Sequence, residues 1–346
     1  MKNIRIGIIG AGGICSGIHL PVLSRLLGGE GCSNAAFCGS IAAICDLRPA
    51  RAEALAAQYS IPKTYISYHE MLAEESLDAV FALVQPDCLF RVVRDCLSAG
   101  AHVFMEKPMG ITLTQAHTLA DKATRAEKVL HVGFNRRYIP LVQEVLRRLR
   151  EATEITHAEG RFYKNSSPAF YQGCATAFQC DVIHVTDLLC YAAGTPIAKA
   201  ATLESYAPDN GEPQAWQCVL QFENGITGII RSHYAAGGRV HDFEFHGKGA
   251  SAFIDLGFGG MGCSAKLLYG SGGKQSLSAM GTGCVHIETL DGIEIAGSDR
   301  YADYYGYRDE DILFLQAAAA GSPDPVRLAQ DLAAMEATAK LEAARF

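Results

Sequence analysis

At 346 residues the chain is long for a single core, and a prior of roughly 100–200 residues per domain suggests two domains. Hydrophobic residues make up 49% and charged residues 19%, and no apolar run approaches the roughly eighteen residues of a membrane span. The net charge of −7 argues against a nucleic-acid surface, which needs clustered Lys and Arg.

The first 135 residues alternate strands and helices. "IRIGIIG" is a continuous apolar run, as expected of a strand buried on both faces, and "SIAAIC", "DAVFALV", "AHVFM" and "KVLHVGF" share that character. Between them, helical patterns run from Pro49 to Gln58, Tyr68 to Leu72, Leu89 to Ala99 and Leu113 to Ala126. Such alternation predicts an α/β, doubly wound parallel sheet, the Rossmann architecture, over 1–135. Residues 136–346 are expected to form a second, α+β domain with an open, mostly antiparallel sheet. Its strands are expected at "HAEGRFY", Ala215 to Phe222, "GITGIIRSHY", "VHDFEFHG" and "SAFIDL", with Asn224-Gly225 turning a hairpin. A helix is predicted over Val182 to Ala193, and two more over Asp309 to Ala319 and Leu328 to Ala344. The last is able to pack back on the first domain. The glycine-rich stretch 257–283 reads as loop. Arg147-Arg148 reads as the wet side of a helix.

The start, "MKNIRIGIIG", has too short an apolar stretch for a signal peptide. The twelve cysteines are dispersed without a C-x-x-C. Cys32 and Cys38 share a loop with no His at zinc-site spacing, so reduced thiols, a cytoplasmic protein and no metal are expected.

"IGIIGAGGICSGIHLP" puts Gly10, Gly12 and Gly13 between a strand and a helix, with Ile14 opening the helix. Gly10 suits the tight turn, and Gly12 lets a pyrophosphate approach backbone N–H groups at the helix start. The third motif position is Cys15 rather than Gly or Ala. Asp46, ending the next strand, suits the adenosine ribose hydroxyls and so favours NAD. Arg48 lies close enough for a 2′-phosphate, which leaves NADP open. Asp46 also suits an N-cap for the helix starting at Pro49. Residues 28–40 read as an insertion before the strand.

The strand "AHVFM" runs into Glu106-Lys107-Pro108. With "IGIIGAGG", "AICDLRPARAEALAAQY", "AHVFMEKPMG" and "VGFNRRYIP" in order, the chain resembles the Gfo/Idh/MocA oxidoreductases, a family that includes inositol dehydrogenase and glucose–fructose oxidoreductase. The resemblance implies an active site between a Rossmann domain and an open sheet, and it assigns substrate binding and oligomerisation to the second domain, 136–346. It implies that Lys107 faces the substrate hydroxyl and the nicotinamide, that Glu106 seats the nicotinamide half, and that Pro108 fixes the strand exit, with a cis peptide in several relatives. Lysine at this place can donate to a developing alkoxide or, when desolvated, carry the proton.

"FQCDVIHVTDLLCYAAG" matches the family's Asp-x-x-x-His-x-x-Asp helix at His184 and Asp187, but Cys180 stands where the family has the first Asp. Asp181, three residues before His184, lies on the same helical surface. His184 is therefore the expected general acid/base and Asp181 a weaker third partner. Cys180 is read as packing or as a thiol tuned by His184. Gln85 and Pro86 are expected beside the cofactor, and Asn135, Arg136, Tyr163 and Lys164 near the substrate. The reading is an NAD(P)-dependent dehydrogenase of a sugar, cyclitol or related polyol. A nucleotide-binding regulator with little turnover, and a reductase of a non-sugar carbonyl or imine, stay open. Relatives bury the sheet's outer face against a second copy, so an apolar outer face and a homodimer or homotetramer are expected.

Overall fold

Strand β1 (Asn3–Ile9) is apolar at almost every position, and Ile4, Ile6 and Ile8 are fully buried. The same holds for β4 (Ala79–Ala82), β5 (His102–Met105) and β6 (Leu130–Val132), whose residues are all buried. Strands with no wet face must be covered on both sides, which is what crossover helices do. With β2 (Cys38–Cys45) and β3 (Lys63–Tyr65) they form a six-stranded parallel sheet in the order β3-β2-β1-β4-β5-β6. The connecting helices are α1 (Leu20–Arg25), α2 (Pro49–Tyr59), α3 (Tyr68–Glu74), α4 (Pro86–Ser98) and α5 (Leu113–Arg125). The expected doubly wound sheet is present. Only β3 has no counterpart in the sequence reading, because three residues carry no measurable period. The computed structural model describes residues 3–30, 37–166, 169–170, 175–208, 211–257, 262–270 and 284–346. Cys32 lies outside these residues.

The chain divides into two units. One is built from the residues before Asn135 together with Tyr307–Met335, and the other from Asn135–Phe170, Thr176–Gly306 and Glu336–Phe346. In the second unit, α6 (Pro140–Ala152) precedes β7 (Ile155–Asn165), and α7 (Ile183–Ala193) precedes β8 (Ile197–Tyr206). The remaining strands are β9 (Pro213–Phe222), β10 (Thr227–His233), β11 (Ala235–Gly247), β12 (Ala250–Asp255), β13 (Ser264–Gly270) and β14 (Cys284–Asp291). They form an eight-stranded sheet in the order β8-β9-β10-β7-β11-β12-β13-β14, antiparallel except where β10 meets β7. The Asn224-Gly225 turn joins β9 to β10 with Gly225 at φ +89°. Two helices close the chain, α8 (Tyr307–Ala320) and α9 (Pro325–Ala343).

Three expectations change. The stretch read as loop from 257 contains β13, whose Ala265 and Leu267 are buried. Its flanking glycines masked the alternation, and much of the remaining stretch lies outside the described residues. The insertion read at 28–40 ends earlier, since β2 begins at Cys38. The outer face of the second sheet is not apolar. Alternation puts Glu159 and Arg161 of β7, Arg231 of β10, and Asp242 and Glu244 of β11 on one face, with Arg231 paired to Glu159 and Arg161 Nε 2.6 Å from Asp242. Exposed apolar residues flank this charged centre, Leu203 (60%) and Val219 (62%) on one side and Ile287 (58%) on the other. Arg147 is exposed on α6 and pairs with Glu144 and Glu151, as the wet-side reading expects.

Candidate active site

The first unit gathers its candidate residues at the carboxyl ends of β1, β4 and β5. Backbone hydrogen bonds continue past the strand ends, from Leu83 N–H to Ile9 O (2.8 Å) and from Glu106 N–H to Ala82 O (3.1 Å). These bonds hold Gly10, Leu83 and Glu106 side by side where the strand order reverses, the usual ligand edge of a doubly wound sheet. Gly10 has φ +102°, and a Cβ there would stand 2.3 Å from Leu83 O, so no other residue fits. At Gly12 and Gly13 a Cβ would meet nothing within 4 Å, so the loop presents open backbone of the kind a pyrophosphate approaches. The next turn, Cys15–His19, is a π-turn, a rare conformation frequent at functional sites. Cys15 is buried, and burial, then Asp46, pushes its thiol up to about 12, so it packs rather than reacts.

Asp46 ends β2 against this loop. Its Oδ2 accepts from Ala11 N–H and its Oδ1 from Arg48 N–H, each at 2.8 Å. Arg48 is the residue that precedes α2, and no side-chain hydrogen bond caps that helix, so the capping role considered for Asp46 is absent. A carboxylate has about four acceptor sites, which leaves room for ribose hydroxyls. Arg48 is largely exposed, with Nε 4.0 Å from Asp46. Gln85 is exposed and precedes α4, which Pro86 opens at its first position.

The Lys107–Pro108 peptide is cis. Glu106 is held from two sides. Its Oε2 accepts from Lys107 N–H (3.3 Å), and its Oε1 lies 3.5 Å from Nε2 of His19. The other ring nitrogen of His19 lies 2.9 and 3.2 Å from the two carboxylate oxygens of Asp311 on α8. Both nitrogens thus point at carboxylates, as in an imidazolium, which donates twice. Burial works against that charge, but Asp311 and then Glu106 push the His19 imidazole up to about 10. Burial likewise works against ionised Glu106, but the His19 hydrogen bond and the Lys107 charge hold its carboxyl below the usual range. Beyond this pair, His131 takes Arg327 at Nδ1 (3.2 Å) and meets Glu310 Oε1 at Nε2 (3.4 Å). Sequence reasoning missed His19 and Asp311. The one signal was a histidine in the otherwise apolar "GIHLP".

In the second unit, His184 lies on α7 and is buried. Arg136 Nη1 lies 3.1 Å from His184 Nε2 and donates to Asn135 Oδ1 at 2.5 Å. A guanidinium only donates, so Nε2 is the acceptor and the ring here is the neutral Nδ1–H tautomer. Asn135 Nδ2 in turn donates to Tyr305 O (2.8 Å). Asp181 takes different partners from those expected. Its Oδ2 accepts from Lys164 Nζ and from Tyr234 Oη, each at 2.8 Å. The reason is local. Phe178–Val182 is a second π-turn, which fits one more residue into its turn than an α-helix and alters the i, i+3 spacing on which the Asp181–His184 pairing relied. Cys180 is fully buried in the same turn. Tyr163 precedes Lys164 near the end of β7. Asp187 is spent structurally, in a buried fork with Arg137 whose Nε lies 3.0 Å from both carboxylate oxygens. Tyr234, missed by sequence reasoning, carried no motif.

Residues 4–134 match the family described as oxidoreductase family, NAD-binding Rossmann fold. Over this Rossmann unit the chain resembles the Gfo/Idh/MocA oxidoreductases. A putative oxidoreductase, YceM, of Salmonella typhimurium is 34% identical over 157 residues, which is 45% of this chain and 46% of that protein. The chain thus matches about half the length of that relative. Myo-inositol 2-dehydrogenase of Thermotoga maritima is 26% identical over 73% of this chain and 75% of its own. Among solved structures, a dehydrogenase from Chromobacterium violaceum shares the fold, with a TM-score of 0.82 at 20% identity over 100% of this chain and 96% of its own. Other neighbours of this fold hold NAD or NADP. The open glycine loop and Asp46 fit such a dinucleotide. Among the described residues, no helix is long and apolar enough to cross a membrane.

Proposed function

We propose that the chain is an NAD(P)-dependent dehydrogenase acting on a secondary carbinol of a sugar, cyclitol or related polyol. A bound nicotinamide supplies the hydride acceptor or donor. Lys107 polarises the substrate oxygen, and His184 in its neutral form takes the proton at Nε2 once the hydroxyl replaces the Arg136 guanidinium there. Asp181 holds Lys164 and Tyr234, whose N–H and O–H groups orient the substrate, with Asn135, Arg136 and Tyr163 beside them. Glu106 orients the nicotinamide side, with Gln85, Pro86 and Ile14 lining the cofactor and Asp46 selecting NAD over NADP. The observation that carries this reading is Glu106, held by His19 Nε2 at 3.5 Å and by the Lys107 N–H at 3.3 Å, at the ligand edge of a sheet that matches the NAD-binding Rossmann oxidoreductase family. The name of the inositol dehydrogenase relative supports the substrate class.

NADH and NADPH fluorescence titrations followed by a polyol panel with NAD test it. NADH is expected to bind more tightly than NADPH, and Lys107→Ala to lower kcat/KM by about 10²–10⁴-fold while binding persists. Tight NADH binding with no turnover on any polyol, ketone or imine, in wild type and Lys107→Ala alike, would instead support a nucleotide-binding regulator. The presence of Cys180 at the family's Asp position and the engagement of Asp181 by Lys164 favour that second reading. Self-association through the second sheet, into a dimer or tetramer, is part of the proposal. It rests on Leu203, Val219 and Ile287 around the charged centre, and a monomer in light scattering refutes it.

A further inference from the structure

The π-turn Phe178–Val182, which leads into α7 and His184, is tied off by two residues with no role so far. Gln179 N–H donates to Thr176 Oγ1 and Thr176 N–H donates to Gln179 Oε1, each at 3.2 Å. A Thr and a Gln three positions apart that satisfy each other in this way form a capping box. The other end of the Gln179 amide reaches much further. Its Nε2 donates to Glu342 Oε2 at 3.0 Å, across 163 positions of sequence.

Glu342 lies in the last turn of α9, and its Oε1 accepts from Arg345 Nη2 at 2.9 Å. Arg345 Nε in turn stands 2.9 Å from Glu204 Oε1 on β8. The same oxygen accepts from Trp216 Nε1 on β9 at 2.7 Å. Trp216 is 2% exposed and closes the circuit. Its ring packs 5.6 Å from Phe178, inside the π-turn, and edge-on to Tyr234 at 6.1 Å. Tyr234 Oη is the group that donates to Asp181 of that turn. The turn is thus held twice by one network, through Gln179 by hydrogen bonds and through Phe178 and Tyr234 by packing.

The π-turn is what gives Asp181 the partners Lys164 and Tyr234. Whatever fixes the turn therefore decides where that carboxylate points. Each link from Gln179 to Trp216 ends on a carboxylate, the kind of acceptor that makes short and directional hydrogen bonds.

We infer that Gln179 and Glu342 are positioning residues. Their hydrogen bond, backed by Arg345 and Glu204, keeps the π-turn in place and so aims Asp181, with Lys164 and Tyr234, at the substrate. This deepens the dehydrogenase reading and rests on it for the reaction. It gives the end of α9, which no motif singled out, a part in the chemistry.

One exchange of partners tests this. Gln179→Glu keeps the capping box, which accepts Glu as readily as Gln, but sets a carboxylate against Glu342. Adding Glu342→Gln restores the amide–carboxylate bond with its ends reversed. The full chain is assayed with NAD and a polyol that the wild type oxidises, well below every melting temperature, where a merely structural contact leaves kcat untouched. The single variant is expected to lose about tenfold or more in kcat with NADH affinity within about twofold, since small misplacements of reacting groups are costly. The double variant is expected to return to within about threefold of wild type. A lower melting temperature with unchanged kcat in the single variant overturns the inference, as does a double variant no better than the single. If the wild type oxidises no polyol, the dehydrogenase reading fails by itself, and Trp216, the one tryptophan of the sequence, supplies a second readout. A shift of its emission maximum in the single variant that the double reverses upholds the placement of the turn and of Tyr234. An emission that is the same in all three proteins, or that the double does not restore, overturns it.

Discussion

Each unit buries a histidine beside a charged partner, but the two surroundings have opposite sign. In the first unit, His19 is enclosed by Asp311 and Glu106, with Glu310 close by, and Phe81, Phe104 and Tyr307 pack against its ring. In the second, His184 faces Arg136, and burial with the charges of Arg136 and Arg239 holds His241 well below its ordinary value. A carboxylate cage fixes a cation and needs nothing from outside, because the charges it buries are its own. Around His184 and His241 the neighbouring charges are guanidinium groups, which favour neutral imidazoles. The first arrangement belongs to a scaffold that positions Glu106. The second is the one the proposed function uses for proton transfer.

The comparison breaks most visibly if the cage is opened. Asp311→Asn leaves the buried His19 charge with Glu106 alone, and removing one partner of a buried pair costs about 3–5 kcal/mol. Chemical denaturation of the variant is expected to show a loss of that order, together with weaker NADH binding as Glu106 loses its anchor. His19→Leu combined with Asp311→Leu removes both charges at once and is expected to recover most of the stability but not the NADH affinity. A variant pair that restores both would make the cage purely structural.

Alkaline pH sharpens the contrast. The His19 pKa is raised on folding from 6.5 to about 10, so its contribution is fully present below about pH 6.5 and disappears as pH rises through about 10. Asp311 and Glu310 are raised too, by burial first, so their contribution also falls as pH rises, but over a window that opens in the ordinary carboxylate range, below that of His19. The groups facing His19 are Asp311 and Glu106, with Lys107 acting on Glu106. The melting temperature is expected to fall between about pH 6.5 and 10, by an amount equivalent to a few kcal/mol, and the same fall should be absent from His19→Leu/Asp311→Leu. An identical alkaline step in both proteins would locate the titration elsewhere.

The scaffold was far more legible than the sites. Strands buried on both faces write themselves as continuous apolar runs, so β1, β4, β5 and β6 were readable, as were the glycines that only a tight turn and open backbone explain. The roles expected of Lys107 and His184 came from resemblance and not from spacing. What escaped depends on contacts between distant positions. Nothing around His19 announces Asp311, which lies 292 positions away. The Lys164 and Tyr234 partners of Asp181 escaped for a different reason. Spacing rules assume an α-helix, and Phe178–Val182 is a π-turn. The charged outer face of the second sheet was written in "HAEGRFY", whose alternation puts His157, Glu159 and Arg161 on one side.

The smallest expected effect on stability belongs to the ligand-facing cluster, and this is the sharpest test of the contrast. Asp181 and Lys164 are only partly buried, at 14% and 22% side-chain exposure, so their ion pair is worth about 1 kcal/mol or less. Asp181→Asn keeps an acceptor for Tyr234 and changes little of the packing. Its unfolding free energy is expected to fall by about 1 kcal/mol at most. Turnover should suffer more, because the Lys164 ammonium and the Tyr234 hydroxyl are no longer held by one charge. A drop in kcat of about tenfold or more is expected, with NADH affinity unchanged. The inverse result, a badly destabilised protein with normal kcat, would show that Asp181 braces the fold as Asp311 does, and the distinction between a self-contained cage and a ligand-facing cluster would collapse.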